Sequence, residues 1–333
     1  MWIRDGQKYA LITLGVNVSP DIPTGAITEN LSLLTSNALQ FPQDWRAWLG
    51  SIRVEQLETS NLFIVSVRDS RTPAILDGEN DVLRDHVWKF YCGLILASHF
   101  TPAEEPALFT GACRNGEIDI RSVANLDLPA PRLFHSYPEI VRQEIVLAGQ
   151  LGENLIELEQ AHIAGGRWRL FHALDIYIKA RSRTDILDRI HQYCRCIDGL
   201  ILPEPGRTKQ QFKSRTELFI GPRHHELVGQ IYDIRSAVEH LHENRYLEQF
   251  DRGTRLDLVM KEAFIEYVAR NALARTLSNR EIWLHFVNVE ALTRFWALSA
   301  NDQRQIWGDQ IDPMNALAEF NPGEIHNGVL GAP

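Results

Sequence analysis

The second part of this chain takes its fold from the stretch LDRIHQYCRCIDGLI at residues 187–201. Its apolar side chains recur three and four positions apart, the spacing of one face of an α-helix. They are Leu187, Ile190, Cys194, Ile197 and Ile201. The sequence Pro-Glu-Pro-Gly at 203–206 follows at once, and it favours a helix end. The stretch therefore predicts one amphipathic helix with a single apolar stripe.

The same three- and four-residue spacing of apolar side chains recurs further along the chain. It returns after Gly221-Pro222, where proline suits the first turn of a helix. The second stripe consists of Leu227, Ile231, Ile234, Val238 and Leu241. Residues 255–277 and 279–298 predict two further helices. We therefore expect a helical domain over residues 141–312, followed by a C-terminal tail at 313–333.

The first part of the sequence has a different pattern. Residues 9–18 and 61–68 are rich in β-branched and aromatic side chains and predict strands, and a short strand is expected at 118–123. Residues 45–49, which Gly50 follows, predict a short helix, and residues 80–99 a longer one. The predicted fold class is α+β, in which a mixed α/β domain at residues 1–140 precedes an all-α bundle.

Composition narrows the class of protein. The chain has 333 residues, 44% of them hydrophobic, and its apolar runs are far shorter than the roughly 20 residues that span a bilayer. Its amino terminus lacks the features of a secretion signal, and its four cysteines form no metal-binding pairs. We expect a cytoplasmic protein with reduced thiols and no membrane segment. The sequence has no glycine-rich phosphate loop and no metal-ligand spacing, so we expect neither cofactor nor metal.

Charge is distributed unevenly along the chain. The formal net charge is −9, but residues 161–225 carry 12 Lys and Arg against 6 Asp and Glu. The segments on either side, 1–160 and 226–333, are both acidic. This basic segment comes just before the second apolar stripe. It could attract phosphates, or it could be a set of solvated helix faces.

The sequence IYDIRSAVEH at 231–240 contains a pair suited to RNA chemistry. Arg235 can hold a phosphate through a forked pair of hydrogen bonds, and His240 can transfer a proton near neutral pH. The spacing has little specificity, because 28 Arg and 12 His would give about three such pairs by chance. The same spacing occurs at Arg167 and His172 and at Arg280 and His285, and Arg235 also reaches His242 with six residues between them.

The order of several short segments is more specific than this pair. Residues 169–180 (RLFHALDIYIKA) are followed by CIDGL at 196–200, FKSR at 212–215, and IYDIRS at 231–236 with His240. This succession resembles the ApeA-like branch of the HEPN superfamily across about residues 165–280. The resemblance implies a helical bundle, commonly dimeric, with an Arg-x(4–6)-His motif at a cleft near the dimer interface. Many active members are metal-independent ribonucleases of bacterial antiphage defence or toxin systems.

Carried over by position, the resemblance makes Arg235 and His240 the catalytic pair, with Ser236 in the adjacent polar position. His240 would take the ribose 2′-OH proton or protonate the leaving oxygen, and Arg235 would stabilise charge on the phosphate. The product would be a 2′,3′-cyclic phosphate. The partners implied are RNA, a second copy of the chain, and a phage-derived trigger or partner protein at the N-terminal domain.

Helix geometry places a condition on this pair. Five residues at about 100° each separate Arg235 and His240 by about 140° around a straight helix. Either the arginine bends round at a helix end, or two subunits combine their residues. His242, nearly in line with Arg235, is the second candidate for the catalytic histidine. Arg235 and Glu239, four residues apart, could instead form an ordinary ion pair.

Three further residues are candidates for supporting roles. Arg215 could add a phosphate contact or lie on a helix surface. Asp233 and Tyr232 could orient His240 and Arg235, or could be a solvated carboxylate and a residue at the edge of the core.

The alternative function is a noncatalytic HEPN-like dimer that binds RNA, a nucleotide or a protein. Leu241 motivates it, because related segments usually have glycine after the histidine.

Overall fold

The computed structural model describes residues 2–22, 24–36, 39, 42, 44–132, 136–240, 252–318 and 320. The chain forms two compact units. One comprises residues 1–129 with 137–156, and the other comprises residues 130–136 with 157–333. A sheet dominates the first and helices form the second, so the predicted α+β class is confirmed. The described residues contain no helix that is both long and apolar enough to cross a membrane.

The first unit contains a six-stranded antiparallel sheet. In chain order its strands are β1 Gln7–Leu14, β2 Gly25–Ala26, β3 Ser32–Thr35, β4 Leu62–Asp69, β5 Ala107–Arg114 and β6 Glu117–Asn125. Their order in the sheet is β2-β3-β4-β1-β5-β6. Strand β1 pairs with β4 on one side and with β5 on the other, which accounts for its almost complete burial. The expected strands at 9–18, 61–68 and 118–123 correspond to β1, β4 and β6.

Two helices of this unit follow the sequence pattern closely. Helix α1 is Trp45–Thr59, and Gly50 interrupts it with a left-handed φ of 73°. The expected stop at Gly50 is therefore a kink, after which the helix continues to Thr59. Helix α2 is Gly78–Ala97, and its N-cap Asp77 accepts a hydrogen bond from the Glu79 amide. The buried Lys8 donates to the carboxylates of Asp77 and Glu79 at 2.7 and 2.8 Å, so the cap also neutralises a charge in the sheet.

Helix α3, Arg142–Ile163, begins in the first unit. It packs closely against α2, because a Cβ on Gly93 would lie 2.3 Å from the carbonyl oxygen of Ala148. Only glycine permits this approach of two helices. The close packing explains why residues 137–156 belong with the sheet, whereas the sequence suggested a division near residue 140.

Every named element in the described part of the second unit is a helix. Its complete helices are α4 Trp168–Arg181, α5 Ile186–Ile201, α6 Thr208–Ile220, α7 His225–Glu239, α8 Arg252–Ser278, α9 Arg280–Trp283, α10 Val289–Trp296 and α11 Ala300–Trp307. Short 3-10 helices occur at Pro222–His224, Leu284–Phe286 and Pro313–Leu317. The single helix expected at 279–298 is divided into three pieces. Asn279 and Asn288 each cap a new helix with a side-chain oxygen, which favours the interruptions.

Several residues after 312 pack against the helical unit. Ala316 and Phe320 are buried against Leu256, Val259 and Met260 of α8. The 3-10 helix Pro313–Leu317 begins with Asp312, whose side chain accepts from the amide of Met314. The first residues of the expected tail therefore belong to the core, and residues 321–333 lie outside the described part of the chain.

Helix α5 lies at the centre of the second unit. Its predicted stripe is buried, and so are residues on its other sides, including Tyr193 and Cys196. Helices α4, α6, α7 and α8 all contact it. Asp185 begins the helix by accepting a 2.7 Å hydrogen bond from the Asp188 amide. A helix expected to have one apolar face is therefore enclosed on several sides, and some of its polar residues, such as Arg189 and His191, are buried against neighbouring helices.

A buried network of charges ties α8 to the rest of this unit. Glu262 and Glu266 are each 1% exposed. Glu266 accepts hydrogen bonds from Tyr177 at 2.6 Å, Arg181 at 3.0 Å and Arg270 at 3.1 Å. Glu262 pairs with two further arginines, Arg132 and Arg189. Burial alone would raise the pKa of Glu266, but the surrounding arginines and the Tyr177 hydroxyl hold it well below its ordinary value.

Candidate functional site

Arg235 lies in the last turn of α7, with its side chain directed at α5. Its Nη2 is 3.6 Å from Oδ2 of Asp198 and 3.5 Å from Oε2 of Glu239. The guanidinium carbon lies 5.3 Å from the ring centre of the buried Tyr232. The side chain is only 18% exposed. Two carboxylates and an aromatic face therefore fix the guanidinium, and the ion pair with Glu239 considered from the sequence is present.

Asp198 is the less expected member of this group. Burial raises the pKa of its carboxyl to about 6, although Arg235 and Arg169 oppose the rise. Among the described residues, neither Oδ1 of Asp198 nor Nε of Arg235 has a hydrogen-bond partner. Unsatisfied buried polar atoms are costly and are often found at functional sites. The pair is consequently held together by charge, with unused hydrogen-bonding capacity on both members.

His191 is the histidine that contacts the Arg235 turn. Its Nδ1 lies 3.5 Å from the backbone oxygen of Arg235, and its Nε2 lies 3.5 Å from Oε2 of Glu239. Burial lowers the pKa of this imidazole. Nothing in the sequence indicated His191, and Asp198 entered only as part of the CIDGL segment of the family resemblance, without a role in the site. Their seven-residue spacing on one helix could have indicated a shared polar flank beside the apolar stripe.

His240 lies at the end of α7 and not within it. It is the C-cap residue, with φ −94° and ψ 10°, and its amide donates to the carbonyl of Ser236 at 3.1 Å. Its side chain is exposed, in contrast to the half-buried Arg235. The angular separation calculated for a straight helix thus applies only as far as Glu239. His242, the second candidate, lies outside the described residues.

The supporting candidates have separate surroundings. Asp233 is exposed and pairs with Lys209 at 2.6 Å. Tyr232 is 5% exposed and packs on Phe212, with 5.1 Å between the ring centres. Ser236 is half-buried on α7. Of these three residues, Tyr232 is the one that contacts the guanidinium of Arg235.

Arg215, on α6, lies at the carboxyl end of α5. Its Nη1 donates to the carbonyl oxygens of Ile201 and Leu202 at 2.7 and 2.5 Å. Its guanidinium also stacks over Trp296 at 5.3 Å. These are the contacts of a cation that completes the end of a helix. Its hydrogen bonds are therefore directed at the backbone of α5.

Within the described residues, no three His, Cys, Asp or Glu side chains converge as metal ligands would. All four cysteines are buried and free. Comparisons of this chain with protein-family models, with curated proteins and with solved structures give no match. The Arg235 cluster must therefore be interpreted from its own chemistry.

Proposed function

We propose that the helical unit is a metal-independent endoribonuclease of HEPN type, which cleaves RNA by attack of the ribose 2′-OH on the adjacent phosphate. The supporting observation is the position of Arg235, whose guanidinium is held against Asp198 and Glu239 on the helix that ends at the exposed His240. The order of sequence segments across residues 165–280 supports the same proposal. The products would carry a 2′,3′-cyclic phosphate and a free 5′-hydroxyl.

In this reaction Arg235 binds the scissile phosphate. Charge gathers on the nonbridging oxygens in the transition state, and a positioned guanidinium stabilises that charge. Glu239 is 42% exposed and Asp198 only 17%. An incoming phosphate would therefore displace Glu239 first, while Asp198 and Tyr232 keep the guanidinium oriented.

His240 transfers the proton. As general base it accepts the 2′-OH proton, so that the oxygen attacks phosphorus, and as general acid it protonates the leaving 5′-oxygen. One histidine can do only one of these at a time. A second copy of the chain would supply a second His240, which is consistent with the dimer that the resemblance implies.

The direct test is cleavage of total RNA by purified protein in excess EDTA, with the product ends identified. We expect His240→Ala to lower the rate roughly 10²–10⁴-fold, and Arg235→Ala by a similar factor. The matched control is His285→Ala, because Arg280 and His285 repeat the same spacing. Cleavage by His240→Ala at the wild-type rate, or of a 2′-O-methyl strand, would refute the proposal.

The biological setting that we propose follows the resemblance. It is a bacterial antiphage-defence or toxin effector, dimeric through its helical unit and acting in the cytoplasm. The sheet unit would bind a phage-derived trigger or a partner protein. Expression in growing cells tests this, since wild type should arrest growth once triggered and Arg235→Ala should not.

A noncatalytic RNA-, nucleotide- or protein-binding module is the second candidate. The observation that favours it is the neutralisation of Arg235 by two carboxylates, as in an ordinary structural ion pair. In that case Arg235→Ala should lower the stability of the helical unit, and no variant should alter RNA length. Release of cyclic-phosphate ends that depends on His240 would exclude this candidate.

A further inference from the structure

The helical unit has a second feature close to Asp198, an open cleft of about 240 Å³. The start of α4 forms one wall, with Trp168 and Arg169. The segment around α10 forms the other, with Asn288, Val289 and Leu292. A cleft of this size can receive one planar ring with its substituents.

Trp168 gives the cleft its exposed aromatic wall. The residue is 59% exposed although it belongs to the first turn of a helix. His172, one turn later, packs on one side of it, with 4.2 Å between the ring centres. Val289, across the cleft, is 53% exposed. Exposed aromatic and apolar side chains around a concavity are typical of a binding surface.

Arg169 connects the cleft to the proposed catalytic turn. Its Nη2 donates to the carbonyl oxygen of Asp198 at 2.7 Å, and its Nε donates to that of Gly199 at 3.2 Å. The carboxylate of the same Asp198 contacts Arg235. The cleft wall and the phosphate-binding arginine are thus anchored to one turn of α5.

The charge of the lining selects the kind of occupant. No carboxylate lines this cleft, and Arg169 is its one charged residue among those described. Asn288 uses Oδ1 to cap α10 by accepting from the Ala291 amide, and that cap does not involve its NH₂ donors. By contrast, the cleft of about 420 Å³ in the sheet unit is lined by three aspartates and one arginine, a net negative charge that would repel a phosphate chain; these residues are Asp81, Asp85, Asp127 and Arg84. The helical-unit cleft therefore suits an anionic ligand with a flat, hydrogen-bonding ring.

We infer that this cleft is a nucleobase subsite for the RNA substrate, an inference that rests on the proposed RNA cleavage for the identity of its ligand. A base stacks on Trp168 in the cleft, and Asn288 donates to an acceptor on its edge. Arg169 attracts the adjoining phosphate. The neighbouring part of the strand reaches Arg235, so this subsite helps to choose which bond is cut.

Binding of a short labelled single strand, followed by fluorescence anisotropy, tests the subsite. The probe is a 2′-O-methyl oligonucleotide, which the proposed chemistry cannot cleave. Stacking on an aromatic side chain is strong enough that Trp168→Ala should raise Kd roughly 5-fold to 100-fold. Trp168→Phe should restore part of the affinity. Trp48→Ala is the matched control, because Trp48 is also exposed, at 75%, but lies in the sheet unit.

A second variant tests the polar contact. Asn288→Asp keeps a side-chain oxygen for the cap of α10, but it replaces the donor amide with a negative charge. We expect a weaker complex, with unchanged helix content by circular dichroism. If the Kd is the same for wild type and Trp168→Ala, or if wild type does not bind the probe, the subsite is refuted.

Cleavage assays separate the two proposals. If the probe binds in a Trp168-dependent way but His240→Ala still cuts RNA at the wild-type rate, the catalytic assignment fails and the subsite stands as a binding site. If His240 is required for cleavage while Trp168→Ala binds the probe and cuts RNA as wild type does, the catalytic proposal stands and the subsite fails.

Discussion

The helical unit contains two clusters of charge that differ in how completely they are satisfied. Around Glu262 and Glu266, four arginines surround two carboxylates, and each carboxylate is 1% exposed. Around Arg235, the carboxylates of Asp198 and Glu239 are 17% and 42% exposed. The first cluster has short hydrogen bonds from several directions. The second has ion-pair distances of 3.5 Å or more and two buried polar atoms without hydrogen-bond partners among the described residues, Asp198 Oδ1 and Arg235 Nε, whereas the first has one, Arg189 Nε.

This difference indicates which cluster holds the fold and which is available for chemistry. A buried ion pair offsets the cost of desolvation only where geometry is good and the remaining hydrogen bonds are made. Glu266 meets that condition, because Tyr177, Arg181 and Arg270 all donate hydrogen bonds to it. The Asp198 carboxyl does not, and its pKa of about 6 records the unmet cost. A cation with ion-pair distances of 3.5 and 3.6 Å can exchange one of its partners for another anion more readily than one held by short hydrogen bonds.

The largest expected effect tests the first cluster. Glu266→Gln removes one of the two carboxylates that face the four arginines, while the shape of the side chain is kept. Loss of one partner from a buried pair leaves charge uncompensated, so we expect the free energy of unfolding to fall by about 3–5 kcal/mol. Urea unfolding at pH 7, followed by circular dichroism, measures this.

The control for this variant is Glu157→Gln in an exposed pair. Glu157 contacts Arg280 at 2.6 Å, and both side chains are more than half exposed. Exposed pairs contribute only about 0–1 kcal/mol, because water solvates the separated charges well. Equal losses for the two variants would remove the distinction between a structural cluster and the rest of the charged surface.

The next effect has the opposite sign and tests the second cluster. The pKa of Asp198 is about 6 in the folded chain, against an ordinary value of 3.8. The folded state therefore holds this proton more tightly, and the stability it supplies below pH 4 is lost as pH rises through 6. The Asp198→Asn variant does not lose this stability, because an asparagine side chain does not titrate. Relative to wild type, we expect the variant to gain about 1–3 kcal/mol between pH 4 and pH 7.

Urea midpoints at several pH values measure this gain. Asp233→Asn provides the control, because Asp233 is exposed on α7 and pairs with Lys209. Its stability relative to wild type should vary little between pH 4 and pH 7. If the stability of Asp198→Asn relative to wild type is also constant between pH 4 and pH 7, the Asp198 carboxyl is not desolvated. The two clusters then do not differ as described.

The regular parts of the fold followed directly from sequence periodicity. The stripe of α5 and the β-branched and aromatic residues of β1 and β4 are local features, which a single sequence displays. Strand β5, with the sequence ALFTGACR, has fewer β-branched and aromatic residues than either, and it was not predicted. The helix start at Asn279 was predicted, whereas the interruption before Asn288 was missed because apolar residues continue on both sides of that cap.

The candidate site was only partly predictable for a related reason. Arg235 and Glu239 are neighbours on one helix, and their ion pair could be read from their spacing. Asp198 and His191 come from a different helix, and their approach depends on how α5 packs against α7. Periodicity shows which face of a helix is apolar, but not which polar flank of a second helix it meets.

The smallest effect concerns His191, which links the second cluster to its neighbouring helix. Burial lowers the pKa of its imidazole, although the carbonyl of Arg235 and the carboxylate of Glu239 oppose this. The unfolded chain therefore gains this proton first as pH falls below 6.5, and the stability that His191 provides above that value is lost. His191→Gln should therefore lessen the loss of stability between pH 7.5 and 5.5, which urea midpoints at the two pH values measure. An NMR titration of the imidazole should give a midpoint below 6.5, and a midpoint above it would place His191 outside the desolvated cluster.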